Sequence, residues 1–297
     1  MTVQTFNPEN VLVSQKKDGT LHKEFTDIIM KDVAQNSLVM QLGQYQEMDG
    51  QQEKTVYVQT DGISAYWVNE TEKIKTDKPE VVPVTLKAHK LGIILVESRE
   101  ALNYTWKKFF DDMKPQIVEA FYKKIDEAGL LGHDTLFANS VNKAAKDAGK
   151  VIGGPITYDN ILKLQDALYD SDVEANAFVS KIQNRSALRE ARDEDKASIF
   201  DKSANTIDGI TTVDLKSAHF EKGDLLAGDF DNLIYGVPYN INYKISEEGQ
   251  ISTITNADGT PINLFEQEMI AIRATMDIAV MITKTDAFAK LTPAERV

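Results

Sequence analysis

Residues 99–128 carry the pattern that most constrains the fold, because apolar side chains recur there every three or four positions over about eight turns. These side chains are Leu102, Trp106, Phe109, Met113, Ile117, Phe121, Ile125 and Ala128. The spacing predicts an amphipathic helix, about 45 Å long if it is continuous at 1.5 Å per residue. Gly129 is expected just beyond the helix end. Pro115 predicts either a kink or two helices in series.

The segments before this helix change from a helical period to a period of two. Apolar residues at helical spacing predict a helix over 21–36. Between 38 and 96 the alternation favours strands, with a short strand at 55–59 and a clearer one from Val82. Pro83 cannot donate a hydrogen bond to a central ladder, so the second strand is expected at a sheet edge.

From Gly153 onwards, helical and strand patterns alternate along the chain. The predicted elements are helices at 161–168 and 186–192, strands at 175–180, 210–213 and 269–283, and a hairpin turn at 256–259. There is no internal repeat and no low-complexity segment. The chain is therefore predicted to mix α and β elements.

Composition excludes several classes of function. The 297 residues contain no cysteine, which excludes disulfides, thiolate metal sites and cysteine nucleophiles, and leaves a cytosolic origin as the simplest interpretation. A formal net charge of −13 argues against tight wrapping of DNA or RNA. The apolar runs are far shorter than the ~20 residues that a membrane span needs. We therefore expect no membrane partner.

Signatures of catalysis and of metal or cofactor binding are missing from the sequence. The histidines at 22, 89, 133 and 219 are scattered, and none has a second histidine three or four residues away. DAGKV at 147–151 lacks the Ser or Thr and the preceding glycine of a phosphate-binding loop. Neither a Gly-x-Ser-x-Gly nor a Gly-x-Gly-x-x-Gly pattern occurs. We predict no catalytic residue, no cofactor and no metal site.

Residues 65–80, AYWVNETEKIKTDKPE, combine an aromatic pair with a dense run of both charge signs. If 63–96 form two strands joined by this run, the hairpin would project roughly 50 Å at 3.3 Å per residue. A two-stranded ribbon is marginal in water and needs another surface. Three interpretations stay open: a hairpin on its own sheet, an arm on a neighbouring subunit, or a lid over a soluble carboxylate-dependent hydrolase site. The residues predicted to contact a neighbour are Trp67, Glu70, Glu72, Lys73, Lys75, Asp77, Lys78 and Glu80.

Several segments keep a characteristic order along almost the whole chain. They are KKDGTL at 16–21, AYWVNE at 65–70, LNYTWKKFFDDMKPQIVEAFYKKIDEAG at 102–129, EANAFVSKIQNRSALRE at 174–190, IDGITTVDLKS at 207–217 and GDFDNLIYG at 228–236, followed by NLFEQEMIAIRATM and AFAKL. In this order and spacing the chain resembles the major capsid proteins of tailed bacteriophages, which have the Hong Kong 97-type coat fold. It is especially similar to the coats of staphylococcal-type siphophages.

The resemblance implies an α+β fold in which an N-terminal arm and an extended loop embrace neighbouring subunits. The implied regions are an N-terminal arm with a helix (1–37), a peripheral-domain strand (38–54), an extended β-hairpin loop (55–92), a peripheral domain with a long spine helix (93–132), an α/β axial domain (133–228) and a return to the peripheral domain with long strands and the C-terminus (229–297).

The same resemblance implies a structural function and no enzymatic one. The expected protein is a coat that assembles with itself into hexamers and pentamers of an icosahedral shell around double-stranded DNA, without tight sequence-specific binding of that DNA. A portal protein at one vertex and a separate scaffolding protein are the implied partners. Assembly is expected in the host bacterial cytoplasm, and the final location is the virion capsid. An encapsulin-like nanocompartment shell protein of the same fold, enclosing cargo enzymes, is the alternative.

Overall fold

The structure is a computed structural model that describes residues 23–59, 68, 70, 73, 81–98, 100, 106–192, 197–257 and 259–294. Its α-helices are α1 (Lys23–Asn36), α2 (Leu38–Leu42), α3 (Trp106–Asp126), α4 (Val141–Asp147), α5 (Tyr158–Tyr169) and α6 (Arg185–Glu190). The predicted helices over 21–36, 161–168 and 186–192 are confirmed by α1, α5 and α6.

The strands form two larger sheets and two hairpins. They are β1 (Gln44–Tyr45), β2 (Glu53–Gln59), β3 (Val81–Lys87), β4 (His89–Ser98), β5 (Val151–Gly153), β6 (Ala177–Ser180), β7 (Phe200–Asp201), β8 (Thr206–Ile207), β9 (Ile210–Asp214), β10 (Leu225–Gly228), β11 (Leu233–Gly236), β12 (Asn242–Ser246), β13 (Gln250–Thr255), β14 (Pro261–Asn263), β15 (Met269–Ile282) and β16 (Phe288–Thr292). One sheet has five strands and the other has seven, while β2–β3 and β13–β14 pair only with each other.

Strand β15 pairs with three of the other four strands of the five-stranded sheet. β4 pairs antiparallel with it from Met269 to Ile278, and β12 and β11 pair antiparallel with other parts of it. Alternate side chains of β15 from Ile272 to Ile282 are buried in the larger hydrophobic core, as the two-residue period of a strand requires. The predicted long strand over 269–283 is confirmed.

Helix α3 packs into this core through the stripe that the sequence predicts, with Ile117, Phe121 and Ile125 all buried. The helix is continuous through Pro115, so the alternative of two helices in series is wrong. A proline inside a helix costs roughly 3 kcal/mol through its missing N–H and a steric clash. We infer that burial of the stripe on the following turns offsets that cost.

The expected helix end at Gly129 is also wrong. After α3 the chain makes a π-helical turn, Glu127–Leu131, and the helix stops at Gly132, whose φ of 72° is left-handed. Gly129 lies inside the turn, where an added Cβ would come within 2.7 Å of Val39 Cγ2. Glycine is therefore required at 129 by the close approach of α2, and at 132 by the backbone conformation.

The peripheral-domain strand expected over 38–54 is replaced in its first part by helix α2, and β1 contains only two residues. Ser37 caps α2, because its hydroxyl accepts a hydrogen bond from the N–H of Met40. The apolar residues that follow, Leu38 and Val39, are buried. Capping and burial favour a helix where the alternation alone predicts a strand.

The seven-stranded sheet has the order β5-β16-β10-β6-β9-β8-β7. All four residues of β6 are buried, which confirms the buried strand predicted over 175–180. One face of the sheet contributes Val179 and Phe288 to the larger core. The opposite face packs with α5, through Ile161, and with α6, through Leu188, in a second core. Apolar residues on both faces explain why β6 lacks alternation.

The segment 229–297, expected to return to one domain, is divided between the two larger sheets. Strand β16 pairs antiparallel with β10 and parallel with β5, so residues 288–292 lie inside the seven-stranded sheet. Strands β11, β12 and β15 do join the five-stranded sheet. The C-terminal part of the chain thus contributes to both sheets.

Candidate functional site

The hairpin β2–β3 is the candidate site, because it contains the described part of the loop predicted to contact a neighbour. Its ladder runs from Glu53 opposite Lys87 to Gln59 opposite Val81. Seven residue pairs span about 23 Å at 3.3 Å per residue. Pro83 lies opposite Tyr57 in this two-stranded sheet, where each strand has an edge, as the proline predicts.

Two of the predicted contact residues, Glu70 and Lys73, are described, and both are exposed. The others, Trp67, Glu72, Lys75, Asp77, Lys78 and Glu80, lie outside the described residues. Their contact with a neighbouring subunit therefore stays a prediction.

The base of the hairpin is fixed to the body by a small apolar cluster. Leu86 and Ala88 are buried against Met48, Ala279 and Met281, and the last two belong to β15. The N–H of Ala88 also donates to the carbonyl oxygen of Gln52 at 2.8 Å, which closes the ladder at its base. The five-stranded sheet therefore sets the direction in which the hairpin leaves the body.

Ionic contacts cover the surface of the base. Lys54 Nζ lies 2.7 Å from Asp49 Oδ2 and donates to the carbonyl oxygen of Glu47 at 2.6 Å. Across the ladder, Lys87 Nζ lies 2.8 Å from Glu53 Oε1. The Lys87 hydrogen bond, followed by its charge, lowers the pKa of the Glu53 carboxyl. Because both side chains are exposed, this pair fixes register more than it stabilises the fold.

On the face of β3 that carries Leu86, exposure rises away from the base of the hairpin. Leu86 is fully buried, Val84 is half-buried and Val82 is 39% exposed. Tyr57, on the opposite face of the hairpin, is 73% exposed. A monomer rarely leaves a two-stranded ribbon with such side chains in water. The outer part of the hairpin has the character of a contact surface.

One polar cluster is not predicted by the sequence, in which the histidines are scattered. The rings of His133 and His219 stack with centroids 3.6 Å apart. Glu127 Oε1 accepts from Ser217 Oγ at 2.5 Å and lies 3.3 Å from His219 Nδ1. The serine is bound to the carboxylate and not to the imidazole, so the arrangement differs from a Ser-His-acid triad. No signal in the sequence connects residues about ninety positions apart.

Within the described ranges, no group of three or more acidic or histidine side chains is arranged to hold a metal ion. No helix of the described part of the chain is long and apolar enough to cross a membrane.

Comparison with protein families gives a match over most of the chain. The model of the Phage capsid family matches residues 18–292. The major capsid protein of Staphylococcus phage 80alpha is 50% identical over 295 residues, which cover 99% of this chain and 91% of that protein.

Solved structures share the fold at low sequence identity. A chain of Microbacterium phage Oxtober96 has a TM-score of 0.72 at 21% identity, over 86% of this chain and 91% of that chain. The capsid of a native GTA particle has a TM-score of 0.65 at 14% identity, over 88% of this chain and 90% of that chain. These likenesses confirm the expected mixed α and β capsid fold. This chain therefore belongs to the phage capsid family and is a major capsid protein of a tailed bacteriophage.

Proposed function

We propose that this capsid protein forms hexamers and pentamers of an icosahedral shell, and that its extended loop holds the next subunit. The loop expected over 55–92 ends at Lys87, because residues 89–92 belong to β4 and pair with β15 in the five-stranded sheet. The single observation that carries the role of the loop is the gradient of exposure along β2–β3. Its base is fixed through Leu86, while Tyr57 and Val82 point into solvent. Contact with a neighbour would bury these side chains.

The two sheets support an assignment of domains. The five-stranded sheet with α3 as the spine helix forms the peripheral domain, and the seven-stranded sheet with α5 and α6 forms the axial domain. Residues 1–37 form the N-terminal arm. Strand β16 is assigned to the axial domain, because it pairs with β5 and β10.

The partners follow from the same role. The shell encloses double-stranded DNA, and the net charge of −13 keeps an inner surface from holding phosphates tightly. A separate scaffolding protein and a portal protein take part in assembly in the host cytoplasm. We assign no enzymatic function to the protein, and its membership of a family of structural capsid proteins supports this assignment.

Deletion of residues 70–80 tests the role of the loop. We expect a folded subunit that no longer forms shells, because the subunit's own contacts lie at the hairpin base and the contacts with a neighbour lie at the tip. Circular dichroism measures the fold, and electron microscopy with scaffolding protein measures shell yield. The control is a replacement of 70–80 by eleven glycine and serine residues, which keeps the length and removes the side chains. Normal shells from both variants would show that this loop does not hold the neighbour.

Salt dependence gives a second test of the same contact. The run 70–80 mixes both charge signs, and exposed pairs are screened over about 8 Å at physiological ionic strength. Shell yield is expected to fall as salt is raised. Equal yields at low and high salt would mean that apolar contacts dominate the interface.

A further inference from the structure

A buried carboxylate joins the N-terminal helices to the end of α3. Asp126 is the last residue of α3 and is 3% exposed. Its Oδ1 accepts from Ser37 Oγ at 2.7 Å and from the N–H of Val39 at 3.1 Å, and its Oδ2 accepts from the N–H of Leu38 at 3.0 Å. These donors belong to the start of α2, because Ser37 is its N-cap and Leu38 and Val39 are its first two residues. One carboxylate therefore fixes α2, and α1 directly before it, to the end of α3.

The charge of this carboxylate is poorly compensated. All three of its hydrogen-bond partners are neutral, and no ion pair to Asp126 occurs among the described residues. The residues of α2, LVMQL, include no titratable side chain. An ionised carboxylate taken out of water without a cation carries a large free-energy cost.

The titratable groups around Asp126 do not supply a cation. On α3, Lys123 is paired with Glu119 and Lys124 with Asp134, so neither lysine forms an ion pair with Asp126. Tyr122 lies one turn earlier, and the next residue, Glu127, disfavours a second negative charge. From the loop after β9, His219 contacts Glu127 and not Asp126. On α1, Asp32 is paired with Lys114 of α3 at 2.5 Å. Burial and the charge of Glu127 thus favour the neutral form of Asp126, and the three hydrogen-bond donors favour the ionised form.

We propose that Asp126 is a proton-dependent latch, which holds α2 on α3 more tightly when its carboxyl group is protonated. Burial is the largest influence and raises the pKa of Asp126 to about 6, although the hydrogen bonds from Ser37, Leu38 and Val39 lower it. If α2 separates, the carboxyl meets water and its pKa returns towards its ordinary value of 3.8.

The sign of the effect follows from these two states. The docked state binds the proton more strongly, so docking strengthens as the pH falls through 6, and this gain is complete below about 3.8. Between pH 7 and pH 5 the equilibrium constant for docking is expected to rise about tenfold. Glu127 does not share this response. Burial acts to raise its pKa, but the hydrogen bonds from Ser217 and His219 outweigh burial and lower it.

Hydrogen exchange of the full-length unassembled protein tests the latch. The amides of Gln41 and Gly43 are bonded within and just after α2, to the carbonyl oxygens of Ser37 and Val39, and they report its opening. After correction for intrinsic exchange rates, protection of residues 38–43 should be about tenfold higher at pH 5 than at pH 7. Asp126→Asn should abolish the difference. Asp32→Asn, which removes a half-exposed ion pair of α1 with α3, should keep it. Equal protection of the unaltered protein at both pH values would overturn the proposal.

A second measurement keeps the proposal testable if Asp126→Asn does not fold. Carboxyl-carbon NMR of the unaltered protein should show a titration midpoint of about 6 for Asp126. Ser37→Ala removes one of the donors that favour the ionised form, so the midpoint should move to higher pH. A midpoint near 4, or no movement in Ser37→Ala, would refute the latch. Both experiments use the isolated subunit, so their outcome is separate from that of the assembly tests.

Discussion

Hairpin β2–β3 and strand β15 are both β structure, but they depend on different parts of the molecule. β15 has partners from three other strands and a buried inner face. The hairpin pairs only with itself, and its apolar contact with the body is the cluster around Leu86. We therefore infer that the two large sheets contribute most of the stability of the subunit. The outer part of the hairpin β2–β3 contributes little to that stability and is available for contact with a neighbour.

This difference predicts separate consequences for folding and for assembly. Substitutions in the sheets should lower the free energy of unfolding and remove shells only because folded subunits are lost. Substitutions on the outer hairpin should leave unfolding unchanged and remove shells directly.

The largest effect is expected for Phe288→Ala. This side chain is fully buried in β16 and meets the ring of Phe230 edge to face at a centroid distance of 5.4 Å. The cavity should reduce the free energy of unfolding by about 3–5 kcal/mol in urea titrations. Phe265→Ala, at a phenylalanine that is 75% exposed, is the matched control and should change little. Equal losses in the two variants would contradict the assignment of β16 to a core.

A smaller loss is expected for Leu86→Ala at the hairpin base. The cluster that it leaves is partly open and can collapse, so we expect about 2–3 kcal/mol. Hydrogen exchange should rise in β2 and β3 and stay unchanged in β6, since only the hairpin loses its attachment. Thr85→Ala, at an exposed neighbouring position, is the control. Increased exchange in β6 as well would mean that the hairpin supports the whole fold.

Gly129→Ala should destabilise the body at a single contact. The new Cβ would come 2.7 Å from Val39 Cγ2, and overpacking of this kind costs about 1–3 kcal/mol. Adding Val39→Ala to the same chain should restore part of the loss, which thermal unfolding of the single and double variants can measure. If Val39→Ala gives no rescue, the contact with α2 does not explain the glycine.

The smallest change in stability is expected for Tyr57→Ser on the outer hairpin. Its side chain is 73% exposed, so unfolding should change by less than about 0.5 kcal/mol. Shell yield should nevertheless fall, because aromatic side chains contribute much of the binding energy of the interfaces that contain them. Tyr169→Ser, at a 48% exposed residue of α5, is the control for loss of a surface tyrosine. An unchanged shell yield for Tyr57→Ser would exclude this residue from the interface.

Local pattern was sufficient for elements that bury one face continuously. The stripe through Ile117 and Phe121 predicts α3, and alternation predicts β15. The errors occur where a distant residue decides the local conformation. α2 forms at 38–42 because Asp126, almost ninety positions away, binds its first amides, and Gly129 is a packing residue because Val39 approaches it. A sequence pattern within one segment contains neither contact.

The candidate site was predictable in outline and not in detail. The charge run and Pro83 predict a hairpin arm, whereas the attachment through Met48 and Met281 depends on folding of the five-stranded sheet. The stacked pair His133 and His219 is hidden for the same reason. Both contacts join residues that are far apart in the sequence, and only the tertiary fold brings them together.

The place of β16 has a consequence for the synthesis of the protein. A chain that ends before Phe288 has β5 and β10 with an empty position between them, since β16 is their common neighbour. Domains fold as the chain emerges from the ribosome, amino-terminal parts first. This sheet, however, closes only when residues 288–292 have been released. A polypeptide that is terminated before Phe288 therefore lacks β16, an internal strand of the seven-stranded sheet. We expect such a polypeptide to be unable to fold this sheet and so to be excluded from shells.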